Sequence, residues 1–465
     1  MRKALWTALV LVLAFIGLKF GASSYTPWTN EPAQAWQVPS EVHLGTDIRY
    51  RHEVSDSLVL VVTVSGGGMR AAAFAYGVLE GLKETQIVWE GQNTDLFSEI
   101  DLISGVSGGG ILATYATLYG DGTFPAFKEK FLYQDFQTHL VSSIFAPTNL
   151  VRLTSPNYGR GHLLIDHLNE LFEDKTFADL PLRPRLLLSA TDLSRSRGFQ
   201  FTPEQFSLIC SDLASTPLSF AAGASSAVPF LLSPVSLKNY STTDLCPNTT
   251  TIYRNPDAPI DSRISQLYSD KLTYLDATAR PYIHLVDGAV SDNLGLRSIL
   301  DRVSMGDNIN ALVRDAPPHS IKRMVFVVIS AEIVPPEDID QVNKTPNLMD
   351  VIGAMRFSRG LRTSAETLEM LRVSARVWTE QLKSPEMNKQ HSIFTKDSEL
   401  HVIELSLKAI SDSKLRDRLL KIATRFYLPQ NQVDELIAAG KNSLKTSPEF
   451  KKMLQSLTSA NTLQH

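Results

Sequence analysis

Two places along this chain constrain its fold more than any others. At each, an apolar run breaks into glycines and the chain then resumes at helical spacing. The first is Leu58-Val-Leu-Val-Val-Thr-Val64, followed by Gly66-Gly67-Gly68 and by Met69 to Lys83, with Ala72, Tyr76, Leu79 and Leu82 on one face. The second is Ile100 to Ser104, then Gly105-Val106-Ser107-Gly108-Gly109, then a helical stretch from Ile111 to Tyr119. A run that is apolar at nearly every position, rather than at alternate ones, suits a strand buried on both faces of a parallel sheet. Further strands are predicted at Leu186 to Thr191, Ile283 to Val286 and Met324 to Ser330. Strands alternating with helices predict an α/β fold wound around a mostly parallel sheet. After about residue 345 the pattern reads as helical, over Leu348 to Leu382 and Leu415 to Leu457. Residues 239–280 are polar and read as a long surface insertion.

Composition decides what kind of chain this is. Of 465 residues, 43% are apolar and 20% charged, the balance of a folded globular protein. The net charge of −4 offers no basic footprint for nucleic acid. Arg2 and Lys3, the uncharged run Ala4 to Leu18 and the small residues Gly21 to Ser24 predict a secretory signal or membrane anchor over 1–24. The protein is therefore expected to be exported, either membrane-anchored or periplasmic/secreted. Residues 25–57 read as an irregular lead-in, 58–300 as the α/β unit, and 301–465 as a mainly helical extension that begins with a further strand. Cys210 and Cys246 could form one disulfide in an exported chain. Asn239, Asn248 and Asn343 open formal glycosylation sequons.

The glycine-flanked Ser107 carries the first chemical signal. A sharp strand-to-helix turn needs small neighbours and lifts the hydroxyl out at the sheet edge. The Gly66–Gly68 loop carries the second, because successive backbone N–H groups at a helix start form a pocket for an oxyanion. The third is Asp287-Gly288-Ala289, an acid directly after an apolar run, placed as a base would be. Each has a plainer reading: a packing turn at Ser107, an ordinary turn at Asp287-Gly288, and a salt bridge on a helix face for Arg70. A different chemistry also competes. Gly66-x-Gly68-x-x-Ala71 has the spacing of a dinucleotide turn, with Glu90 about twenty residues on where a ribose-binding acid would stand. That reading leaves Arg70 and the second glycine turn at Ser107 unexplained.

Taken in order, the glycine-rich loop with Arg70, the Ser107 turn and Asp287-Gly288-Ala289 resemble the patatin-like phospholipases. The stretches Leu187 to Leu193 and Ala224 to Phe230 are similar to that family as well, so the resemblance covers residues 58 to 300. It implies a three-layer α/β/α fold and a Ser–Asp dyad, with Ser107 as nucleophile and Asp287 as base. It implies an oxyanion hole at Gly66, Gly67 and Gly68, and supporting roles for Arg70, Gly105, Gly109 and Gly288. Arg70 could brace the loop or meet a substrate phosphate. The implied substrates are phospholipids or lysophospholipids at a membrane surface, with no metal or cofactor. None of the ten histidines sits in a motif, and His284, an odd number of positions from Asp287, would point to the opposite face of its strand. Asp292 is a rival acid that reads better as a capping or solvated residue. Ser65 and Ala71 depart from the Asp and Gly that usually bound the family's loop. A catalytically idle lipid-binding scaffold on the same fold remains the other class of function.

Overall fold

The computed structural model describes residues 27–33, 48–49, 54–242, 263–305, 309–314, 316–333, 343, 345–346, 348–384 and 392–462. The expected signal or anchor over 1–24, Cys246 and Asn248 lie outside the described residues. Among the described residues no helix is long and apolar enough to cross a membrane.

Among the described residues, eight strands form the main sheet. In chain order they are β1 (Leu58–Val64), β2 (Ile100–Gly105), β3 (Arg185–Asp192), β4 (Arg197–Gln200), β5 (Val235–Lys238), β6 (Tyr282–Val286), β7 (Ile321–Ser330) and β8 (Phe394–Ser406). Their spatial order is β8-β7-β1-β2-β3-β6-β5, with β4 beside β3. The five strands from β8 to β3 are parallel, while β6, β5 and β4 join antiparallel. The sheet is thus mixed but mostly parallel.

The continuous apolar run of β1 is explained by what covers it. Leu58, Leu60, Val62 and Val64 enter one hydrophobic core, while Val59 and Val61 enter the other on the opposite face. The first core packs beneath helices α1 (Gly68–Glu84) and α2 (Gly108–Tyr119), together with α3 (Arg160–Phe172) and α4 (Leu218–Ser225). The second packs beneath α6 (Arg297–Met305) and the long α7 (Leu348–Lys383), which follow the short turn of helix α5 (Ala289–Asp292) in the chain. Two cores on two faces make the three-layer α/β/α arrangement.

The C-terminal third is mainly helical where described, but between its helices it adds a strand that the helical reading did not place. β8 pairs in parallel with β7 as the sheet's edge strand. Its buried residues His401, Ile403 and Leu405 alternate with more exposed ones, so its period is two rather than 3.6. Farther on, helix α8 (Gln430–Thr446) lies directly on α1, and α9 (Pro448–Thr462) follows it. The α1–α8 crossing is close because glycines line it. A Cβ added at Gly77 would overlap the Ile437 carbonyl oxygen, and one at Gly440 would overlap that of Phe74.

The insertion at 239–280 also differs from expectation where it is described. Asn239 is buried, and its side chain donates to the carbonyls of Tyr274 (2.9 Å) and Arg280 (3.0 Å), so this sequon is closed to a glycan. Cys210 is buried and disulfide-bonded.

One ionic cluster sits at the opposite end of the sheet from the glycine turns. Arg183 meets Asp56, Glu99 and Asp101, and Asp101 Oδ2 also accepts the Leu60 N–H at 2.7 Å. Burial, outweighing Arg183, pushes Asp101 up to about 7. An acid whose pKa is raised by folding stabilises the native state at low pH and loses that contribution as pH rises through its folded pKa. Thermal stability is therefore expected to decline between about pH 4 and 7, and Asp101→Asn should flatten that limb in melting curves taken across the range.

Candidate active site

The site is built where β1, β2 and β3 end. After β2 the chain turns at Ser107, held at φ 52° and ψ −128°, and enters α2. A non-glycine residue at positive φ is strained and persists only where the surroundings impose it. Gly108 allows the turn to seat against the glycine loop, since a Cβ there would overlap the Gly68 carbonyl. Gly109 packs in the same way on Ser65, Gly105 on Gly110, and Gly288 on Ser189.

Asp287 arrives from the far side of β3. Only Leu285 and Val286 of β6 pair with β3, opposite Asp192 and Thr191, so the strand ends beside the Ser107 turn. Ser107 Oγ donates to Asp287 Oδ2 at 3.1 Å. The two residues are 4% and 3% exposed. Asp287 Oδ1 accepts the Ala289 N–H at 2.8 Å, which fixes the plane of the carboxylate.

The glycine loop closes the third side. A Cβ at Gly66 would stand 3.5 Å from that of Ser107 and 3.4 Å from that of Ala289, so the three segments meet at one point. The loop's N–H groups are not equivalent, and here the three-donor expectation needs correction. Gly66 N–H donates to the Asn293 carbonyl at 2.9 Å and is already spent on structure. The N–H groups of Gly67 and Gly68 have no hydrogen-bond partner among the described residues. Both glycines lie at positive φ, 144° and 59°. That conformation suits glycine above other residues.

The Arg70 guanidinium is engaged by the protein itself rather than left for a substrate phosphate. Its Nε donates to the Ala331 carbonyl (3.0 Å), Nη1 to that of Ile422 (2.5 Å) and Nη2 to Thr424 Oγ1 (3.0 Å). Burial lowers its pKa to about 10, with Glu332 opposing the shift. Arg70 therefore ties the loop to the segments after β7 and before α8. Met69 N–H donating to the Arg425 carbonyl at 2.8 Å completes that brace. Ser65, where the family's loop usually has Asp, accepts the Ala331 N–H at 2.9 Å through its hydroxyl.

The rival residues lie elsewhere. His284 is exposed and bonded to Ser236 Oγ at 2.7 Å. Asp292 is buried, which raises its pKa, and it accepts the Arg297 N–H at 2.8 Å as a turn cap. Glu90 occupies the tight turn of an antiparallel hairpin, Gln86–Trp89 with Gln92–Asp95, and pairs with Lys322 at 2.5 Å. The hairpin stands where a dinucleotide fold would place its second parallel strand, so the ribose-acid reading fails.

Sequence reasoning noted the stretch Ala224 to Phe230 but gave Ser225 to Ala227 no role in the site. Ser225 Oγ accepts the Ser107 N–H at 2.9 Å and donates to the Ser189 carbonyl at 2.7 Å. The Ser225 carbonyl accepts Gly288 N–H at 3.1 Å and that of Ala227 accepts Asp287 N–H at 2.9 Å. This one segment holds both members of the Ser107–Asp287 pair, and its small residues were the signal. Ser225→Ala leaves the strained Ser107 amide without its partner. Hydrolysis of a chromogenic ester is expected to fall about tenfold or more, the effect of roughly 1.4 kcal/mol at the turn, with KM little changed.

Comparison with known proteins bears on identity. No curated protein matches by sequence. Matching solved structures include human GIVD cytosolic phospholipase A2, at 14% identity and a TM-score of 0.47, covering 86% of this chain and 62% of that one. A second structure of that protein, in complex with methyl gamma-linolenyl fluorophosphonate inhibitor and terbium chloride, matches at 14% identity and a TM-score of 0.41, covering 88% and 60%. This chain thus spans about three fifths of the length of those relatives. The family model described as patatin-like phospholipase matches residues 62–300, more than half of the chain and every segment of the site except the C-terminal brace, and the chain belongs to that family.

Proposed function

We propose that this protein hydrolyses acyl ester bonds of phospholipids or lysophospholipids through an acyl-enzyme on Ser107, with Asp287 as base. The observation that carries the reading is the 3.1 Å hydrogen bond from Ser107 Oγ to Asp287 Oδ2 between two buried side chains. As the hydroxyl attacks the ester carbonyl, its proton passes to Asp287. The oxyanion draws the N–H groups of Gly67 and Gly68, and the dipole of α2 opposes its charge. Collapse expels the alcohol, which takes the proton. Water then attacks the acyl-enzyme as its proton passes to Asp287, and the second intermediate collapses with Ser107 Oγ leaving, taking that proton back and releasing the fatty acid.

A lipid surface as the place of work is supported by apolar side chains left in solvent. Phe230 and Leu231, just past the segment that holds the pair, are each 60% exposed, and Phe145 is 70% exposed. Export, with the protein membrane-anchored or periplasmic/secreted, is proposed from the basic and apolar start of the sequence. The test is fatty-acid release from phospholipid vesicles by the full chain beside Ser107→Ala. Release by the parent and none by a folded variant is expected. Undiminished release by the variant would overturn the mechanism, and no release by the parent would favour the idle scaffold.

A further inference from the structure

Next to the turn that carries Asp287 lies a cavity whose lining residues are mostly polar or charged and include neither Ser107 nor Asp287. Its wall comes from β4, from Gln205, from the helix Arg263–Leu272 and from α5 and α6. The carboxylates on that wall are already engaged. Asp270 pairs with Arg197 at 2.9 Å, Asp301 with Arg263, and Asp292 Oδ2 with the Arg297 N–H. What remains is an excess of donors. Gln205 Nε2, Arg297 Nε and Ser298 Oγ are buried atoms with no hydrogen-bond partner, and Gln205 is only 3% exposed. Lys271 Nζ donates to Gln205 Oε1 at 3.2 Å, and no carboxylate among the described residues pairs with it. Burial holds the Lys271 ammonium down to about 8, against the opposing pull of Asp301 and Glu204. Two acceptors also lack a hydrogen bond, Asp292 Oδ1 and Asp301 Oδ1, the latter held by its ion pair with Arg263. Buried polar atoms are rarely left unpaired, and each points to a partner.

We propose that this cavity binds a small phosphorylated polyol. The phosphate takes the donors of Lys271, Gln205, Arg297 and Ser298, and a ligand hydroxyl donates to Asp292 Oδ1. The cavity is joined to the Ser107–Asp287 pair by a short chain of hydroxyls. Ser291 lines it, Ser291 Oγ lies 2.8 Å from Thr191 Oγ1, and Thr191 Oγ1 donates to the Asp287 carbonyl at 2.9 Å. A ligand there braces the turn that holds Asp287. If the acyl-hydrolase reading stands, complete deacylation leaves a glycerophosphodiester, or glycerol 3-phosphate where the lipid is phosphatidic acid, and the cavity senses product.

The experiment is calorimetric titration of the full chain with glycerol 3-phosphate, inorganic phosphate and glycerol at constant ionic strength. Saturable binding of glycerol 3-phosphate is expected, with phosphate weaker and glycerol absent. Lys271→Met should weaken binding about tenfold or more, the worth of one charge-assisted contact. Ser298→Ala, which keeps every ion pair of the wall, should weaken it several-fold. No binding by the parent, or parent-like binding by both variants, overturns the site; equal binding of phosphate and glycerol 3-phosphate overturns the polyol. Sedimentation with phosphatidic-acid vesicles, lost in Lys271→Met, assigns the phosphate to a lipid headgroup, and its absence assigns a soluble ligand. Ser107→Ala should bind as the parent does, so failure here is distinguishable from failure of the hydrolase reading.

Discussion

Asp287→Asn is expected to lower acyl-ester hydrolysis on the order of 10²–10⁴-fold, the usual contribution of a positioned general base, while the melting temperature stays near that of the parent. The substitution keeps the shape of the side chain. Its carbonyl oxygen can still accept the Ala289 N–H, the bond that fixes the group at 2.8 Å in the parent. The atom facing Ser107 Oγ, however, becomes an amide nitrogen, which donates to the hydroxyl and cannot take its proton. Loss should fall on kcat rather than KM, because the hydroxyl's proton moves only as the transition state forms. Hydrolysis within a few-fold of the parent would mean that Asp287 is merely a turn residue. Ser107 would then need another base, and the described residues next to it offer no histidine, since His284 is exposed and bonded to Ser236.

Much of this site was legible because its parts are local. A strand buried on both faces reads as an unbroken apolar run, and the turns after β1 and β2 need glycine for steric reasons that act within a few residues. The sequence also placed His284 correctly, from the period of a strand alone. What was not legible depends on contacts distant in the chain. Gly66 looks like its neighbours in the loop, and only the fold brings the Asn293 carbonyl to its N–H. Arg70 had three open readings, decided by carbonyls more than 250 residues away. Ser225 lay in a stretch noticed for its small residues, with nothing in it to show that one hydroxyl would hold the Ser107 amide. β8 was read as part of a helical tail although its period of two was present. Polar residues on the exposed side of an edge strand weaken the apolar signal that marked the central strands.

The crossing of α1 and α8 yields the second large effect, in stability and catalysis together. Gly77→Val is expected to lower the melting temperature sharply and to depress kcat even well below that temperature. An inserted side chain in a packed core costs about 1–3 kcal/mol where neighbours can shift. Here the obstacle is the Ile437 backbone carbonyl inside a helix, which yields less readily than a side chain. Replacing glycine in a helix interior otherwise gains up to about 1 kcal/mol, so a net loss would show that the crossing dominates. Catalysis should suffer because α8 follows directly from the Ile422–Arg425 segment that braces the glycine loop. A Cβ at Gly68 would stand 2.5 Å from the Arg425 carbonyl, so the loop has little room if that segment shifts. Moving α8 outward therefore loosens the amides of Gly67 and Gly68 while leaving Ser107 and Asp287 untouched. Gly122→Ala, whose methyl would meet Tyr119 Cβ at an ordinary 3.6 Å, serves as the control and should change neither quantity. A Gly77→Val protein that melts early but keeps full kcat when folded would separate the C-terminal packing from the site. The loop would then hold its shape through Ala331, whose carbonyl accepts Arg70 Nε and whose N–H donates to Ser65 Oγ.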